Sequence, residues 1–336
     1  MAGSAQVLVE SKSGSRSFHG SLYDFLRNDK VDASNFFSAG NKTPLRQNNF
    51  GFALGGRVTI PHIYNRNRDK NTFFFVNEEW RVIHSGSTVR GAMIPEAMRN
   101  GDFSGSTTFG AKGNQLVFDD AANNFLAGKN CLTGPTTLNT ACFDPNAVAI
   151  LKHYWPLPNN PAGGFNNYIN PGVDVIDQRN DAYRIDQYFG QKLVLMGRFM
   201  YEEVKDSPPN LAWGPNPAPT TRQSIYTTGL NALVRLTANI SPSMVNTISV
   251  VQTHDKPRLR AVNTELPSDI SLNYPFPGAD VHKRIPQISI AKGYSGLGVF
   301  PLPVDASDGE GTISDDFSMV RGSHVLQAGA LYIFGI

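Results

Sequence analysis

The stretch that most constrains this chain lies at 222–256, where two long alternating segments flank a tight turn. From Tyr226 onward every second residue is apolar or small: Tyr226, Thr228, Leu230, Ala232, Val234, Leu236 and Ala238. The other register carries Thr227, Gly229, Asn231, Arg235 and Thr237, with Leu233 as the exception. A period of two predicts a β-strand with one apolar and one polar face. Pro242, within Asn239-Ile240-Ser241-Pro242-Ser243, cannot continue a central ladder, so the chain turns there and returns through 244–254. Strands of globular proteins run to about 5–6 residues, and this one keeps its pattern for about 13. A membrane-spanning β-strand needs about 9–11. The length fits a membrane barrel better than a soluble sandwich.

Composition closes off other classes. With a formal net charge of +2 over 336 residues and no basic stripe, the chain lacks the electrostatic footprint of a nucleic-acid binder. Its 31 Gly and 22 Pro, with many Asn, Ser and Thr, point to an all-β protein with large loops. No run of 18 apolar residues forms a transmembrane helix, but barrel strands hide their apolar half in alternation. Residues 1–6 carry neither a basic nor an apolar leader region, which predicts that the chain is an internal piece of a longer precursor.

Alternation places nine strands, at roughly 18–27, 48–58, 72–82, 180–188, 192–203, 224–238, 244–255, 311–320 and 324–334. Their connections alternate in length. Tight ones at 189–191, 239–243 and 321–323, with a shorter one at 59–71, fall on one side; long ones at 28–47, 83–179, 204–223 and 256–310 fall on the other. Outer-membrane barrels show this asymmetry, with short periplasmic turns and long outer loops. The expected fold is therefore an antiparallel transmembrane β-barrel segment of about nine strands of a larger barrel, with long extracellular loops. Phe50, Phe52 and Leu54, Leu193, Leu195 and Phe199, and Leu230 and Val234 form the expected lipid-facing register. Trp80, Tyr201 and Tyr226 are candidates for the aromatic girdle, or else ordinary β-formers.

Several pieces carry a further resemblance. They are Ser13-Gly14 with Phe18-His19-Gly20-Ser21, then Arg27-Asn28 and Asp32-Ala33 with Asn35-Phe36-Phe37; next Leu45-Arg46-Gln47-Asn48-Asn49-Phe50-Gly51-Phe52 and Lys70-Asn71-Thr72-Phe73-Phe74-Phe75. Ile94-Pro95, Gly101-Asp102-Phe103-Ser104-Gly105, Tyr183-Arg184-Ile185-Asp186 and Gly197-Arg198-Phe199 follow in order. In that colinear order the chain resembles the Oar-like group of TonB-dependent outer-membrane receptors. The resemblance implies that 1–17 is the end of a plug domain and its linker, and 18–336 the N-terminal part of the barrel. It also implies energy-coupled uptake. An unidentified ligand would bind at the extracellular loops, outer-membrane lipid would surround the barrel, and a TonB complex would act through a missing upstream segment.

Chemistry-bearing motifs are sparse. Cys131 and Cys142 are the only cysteines and share one presumed outer loop. In an oxidising compartment they would pair, contributing roughly 2–3 kcal/mol, the alternative being two unrelated thiols. No nucleophile elbow, zinc-binding helix, phosphate loop or dinucleotide turn is present, so no catalytic residue, cofactor or metal ligand is assigned and no enzyme is expected. Asp305, Ser307, Asp308, Glu310, Asp315 and Asp316 form an acidic run without EF-hand spacing, read as a solvated loop with calcium binding as the alternative. Pro145–Tyr154 has helical spacing behind Asp144, an N-cap residue. The rival functional classes are an outer-membrane surface or adhesion protein without transport, and a secreted carbohydrate-binding β-protein.

Overall fold

The computed structural model describes residues 10–33, 44–65, 70–105, 131–134, 136–209, 221–273, 284–290, 294–297 and 304–335. Of the motifs quoted above, Asn35-Phe36-Phe37 lies outside them. The described chain is dominated by one antiparallel sheet of long strands: β1 (His19–Asn28), β2 (Leu45–Arg57), β3 (Asn71–Gly91), β6 (Tyr168–Phe189), β7 (Leu193–Ser207), β8 (Arg222–Ser241), β9 (Met244–Val262), β11 (Asp308–Arg321) and β12 (His324–Gly335). Each pairs with its sequence neighbours in the order just given, and the short β10 (Val304–Asp305) adds to the outer end of β9. Among the described residues all nine expected strands form and no helix is long and apolar enough to cross a membrane.

The tight turns gather at one end of this sheet. Two of them place Gly190 and Gly322 at φ of +62° and +61°, a region that costs other residues more. The expected strands at 72–82 and 180–188 are too short. β3 runs on to Gly91 and β6 begins at Tyr168, so a two-stranded ribbon extends the hairpin outward through pairs such as Thr88 with Pro171. Ser85 to Thr88 and Pro171 to Asp174 carry no alternation that a sequence reading could detect, and the ribbon forms because each half supplies the other's ladder. The outer loop is correspondingly shorter than the 83–179 expected, spanning 92–167. β8 and β9 likewise reach beyond their expected ends, to 20 and 19 residues. That is about twice what a bilayer requires.

The described parts of the connection between β3 and β6 are folded. Helix α1 (Glu96–Arg99), the small hairpin β4 (Leu132–Gly134) with β5 (Thr137–Leu138), and helix α2 (Pro145–Tyr154) build on β3 and β6. Asp144 caps α2 by accepting the Ala147 N–H at 3.0 Å. Met93, Ile150, Tyr154 and Trp155 from this loop and Tyr168 at the start of β6 pack with Ile270, Ile285 and Leu297 from the β9–β10 connection, forming a core outside the spanning part of the sheet. Polar contacts bind the same two loops: Trp155 Nε1 donates to Ser295 O (2.8 Å), Tyr154 Oη to Glu265 O (2.6 Å), and the Ser295 N–H to Ala92 O (2.9 Å). The Met93 backbone is held on both sides by the Asn167 side chain, at 2.7 and 2.8 Å. The described parts of these two loops thus form one cap.

Candidate functional site

The ladder register sorts side chains onto two faces, because residues directly opposite share a face. On one face lie Gly56, Phe74, Ile185, Gly197, Val234, Val250 and Ile313 in a single row. Phe50, Leu54, Leu193, Leu195, Phe199 and Val234 are exposed on it, while Phe52 and Leu230 are half-buried there. Toward the loop end this apolar band stops at aromatic and charged groups. Trp80 stacks on Phe50 with ring centroids 5.6 Å apart, and Tyr201 and Tyr226 both donate to Glu203. The two tyrosine hydroxyls thus converge on one carboxylate at the edge of the band.

The other face is polar and electrostatically divided along the strand axis. Nearer the turns, Arg184 on β6 lies directly opposite Arg198 on β7, and Arg235 on β8 is one diagonal step from Arg198. Asp186, almost fully buried, pairs with Arg184 at 2.9 Å. Arg198 donates to Asn231 at 2.9 Å and Arg235 to Ser249 at 3.1 Å, so of the three guanidinium groups Arg184 alone is paired with a carboxylate among the described residues. Over the next two rows toward the loops the charge inverts. Glu79, Glu202, Asp255, Asp308 and Glu310, with Asn77, Asn180 and Asn231, line a concavity of about 840 Å³. Tyr23 crosses β2 to reach Glu79 at 2.7 Å; this works because Gly51 beneath it has no side chain, and a Cβ there would lie 2.8 Å from the Tyr23 hydroxyl.

The segment before β1 lies against this polar face. The Arg184 guanidinium donates to Ser11 O at 2.6 Å, and Gly14 is pressed onto the backbone of Gly56 and Phe74 too closely to admit a Cβ. Two-residue spacing alone puts Arg184 and Asp186 on one strand face, but linking them to Arg198 and Arg235 needs the register between strands. The acidic run at 305–316 does not act as one unit. Asp305 is held below its ordinary pKa by hydrogen bonding to Arg260, Asp315 accepts from Asn246 on the apolar face, and Asp308 and Glu310 join the polar face. Among the described residues no cluster of three His, Cys, Asp or Glu is placed to hold a metal ion.

In the cap, Ile94, Met98, Phe103, Leu138, Phe143, Leu151 and Trp155 help to line a largely apolar groove of about 1030 Å³. Its size is that of a pocket for a small organic ligand. Arg99 stands at the groove but is occupied, donating to the carbonyls of Ile94, Leu151 and Pro156. Cys131 and Cys142 border the same region with sulfurs in bonding contact and Cα atoms 5.8 Å apart. Non-reducing peptide mapping of exported protein is expected to yield one cross-linked peptide pair containing both cysteines; two free thiols would refute the pairing.

A continuous antiparallel sheet with an apolar band on one face, a polar face opposite, tight turns at one end and a folded cap at the other defines an outer-membrane β-barrel protein. The chain matches the outer membrane beta barrel domain family over residues 10–334 and belongs to that family, which places it in the bacterial outer membrane. No curated protein matches it.

Proposed function

We propose that this chain is the end of the plug and the first part of the barrel of a TonB-dependent receptor of the Oar-like group, which takes up a ligand by energy coupling. The observation that supports this most is the segment at 10–17 lying on the polar face, its Ser11 carbonyl taken by Arg184 beside the buried Asp186. A chain entering the lumen from the turn side is what a plug attached to β1 requires. In this reading the cap groove receives the ligand, the acidic row beneath it faces the ligand or the plug, and the TonB complex pulls on a segment upstream. No side chain here acts as a catalyst. The second reading, a surface or adhesion protein without transport, draws on the cap having a core of its own.

Capture of the detergent-solubilised full-length protein on an immobilised periplasmic TonB domain tests the choice. Capture that disappears when the region upstream of residue 10 is deleted is expected. A full-length protein that never binds would leave the adhesion reading standing.

A further inference from the structure

At the loop end of the polar face, above the acidic row, three inward side chains from three adjacent strands occupy neighbouring register positions without a counter-charge. Asp206 on β7 lies directly opposite Ile176 on β6 and Ile225 on β8. Asp174 is two residues beyond Ile176 and Gln223 two beyond Ile225, so each is a diagonal neighbour of Asp206 on the same face. Diagonal pairs of this kind stand about 7–8 Å apart at the backbone, within the combined reach of an Asp and a Gln side chain. Gln223 is 2% exposed, yet neither its Oε1 nor its Nε2 has a hydrogen-bond partner. One oxygen of Asp174 and one of Asp206 are likewise buried and unpartnered. Among the described residues neither carboxylate forms an ion pair with Lys, Arg or His.

Buried polar atoms are normally paired, and two adjacent carboxylates repel. The juxtaposition therefore asks for a positive charge that accepts oxygen ligands. We propose that Asp174, Asp206 and Gln223 Oε1 form a calcium site that clamps the outer ends of β6, β7 and β8. The donor set is all oxygen, and the two carboxylates match the charge of a divalent ion. Three side-chain oxygens leave most of the 6–8 coordination positions to water, with the Ser85 hydroxyl, opposite Asp174, as a further candidate. Such a sparse site falls in the weak range of extracellular modules, with a Kd on the order of 0.1–1 mM. The site is distinct from the acidic run in the sequence at 305–316 and does not depend on whether the barrel transports.

Calorimetric titration of the chelator-treated full-length protein in detergent with calcium chloride tests it. One saturable site is expected in the native protein, weakened at least about tenfold in Asp206→Asn and in Asp174→Asn, and weakened to a lesser degree in Gln223→Leu. Asp308→Asn, in the acidic row below, should bind as the native protein does. In the native protein, calcium should slow amide exchange at 204–207 and 222–225 more than at 244–254, a readout that needs no variant. The proposal is overturned by no binding at about 10 mM calcium, by equal affinity in Asp206→Asn, or by protection spread evenly over the sheet.

Discussion

Val234→Arg is expected to prevent assembly of the barrel in the outer membrane and Leu230→Arg, level with Tyr201 near the edge of the band, to impair it less, whereas Thr253→Arg is expected to be tolerated. Val234 is 54% exposed on the apolar face, in the row of Ile185 and Val250. An arginine at mid-depth on a lipid-facing position costs about 2–4 kcal/mol. Thr253 lies on the opposite face, directly across from Glu310 and within the acidic row, where an added positive charge gains attraction. Asn231, also on the polar face, is the poorer control because it accepts a hydrogen bond from Arg198 and a second guanidinium would displace it. Heat-modified mobility on gels of outer-membrane fractions measures the assembled portion. Equal loss in all three variants would refute the assignment of the faces.

Trp155→Ala is expected to unfold the cap and leave the sheet intact. The indole is 3% exposed, packs in the core shared by the two outer loops, and donates to Ser295 O across them. Truncating a buried aromatic of this kind costs about 3–5 kcal/mol, and the stranded Ser295 carbonyl adds to it. Limited proteolysis of intact cells is the check, with cuts appearing in 136–167 and 263–273 while heat-modified mobility is unchanged. A cap that stays protected would show that Trp155 does not hold it together.

What could be read from the sequence divides along a physical line. The spanning portions of the strands were legible because a lipid-facing register must stay apolar at every second position, as Leu193, Leu195 and Phe199 do. That constraint ends where the strands leave the bilayer, so the ribbon of Ser85 to Thr88 against Pro171 to Asp174 left no trace in the pattern. The cap was illegible for a different reason. Its contacts join residues more than a hundred positions apart, Tyr154 with Glu265 and Trp155 with Ser295, and no local periodicity encodes such pairs. The candidate calcium ligands fall between these cases, since Asp174, Asp206 and Gln223 share a face only once the registers of two hairpins are known.

All 21 residues of β3 pair with β6, although 92–167 intervenes between them. Closing a connection of that size costs little more than closing a short one, because the entropy of closure grows only logarithmically and each doubling of length adds about 0.6 kcal/mol. The long ladder at its base offsets that cost without drawing on the contents of the loop. The insertion between these two strands is thus thermodynamically decoupled from the wall that carries it. Its length and composition are free to diverge while the registers below stay fixed, so the outward-facing surface can change without disturbing the sheet that spans the membrane.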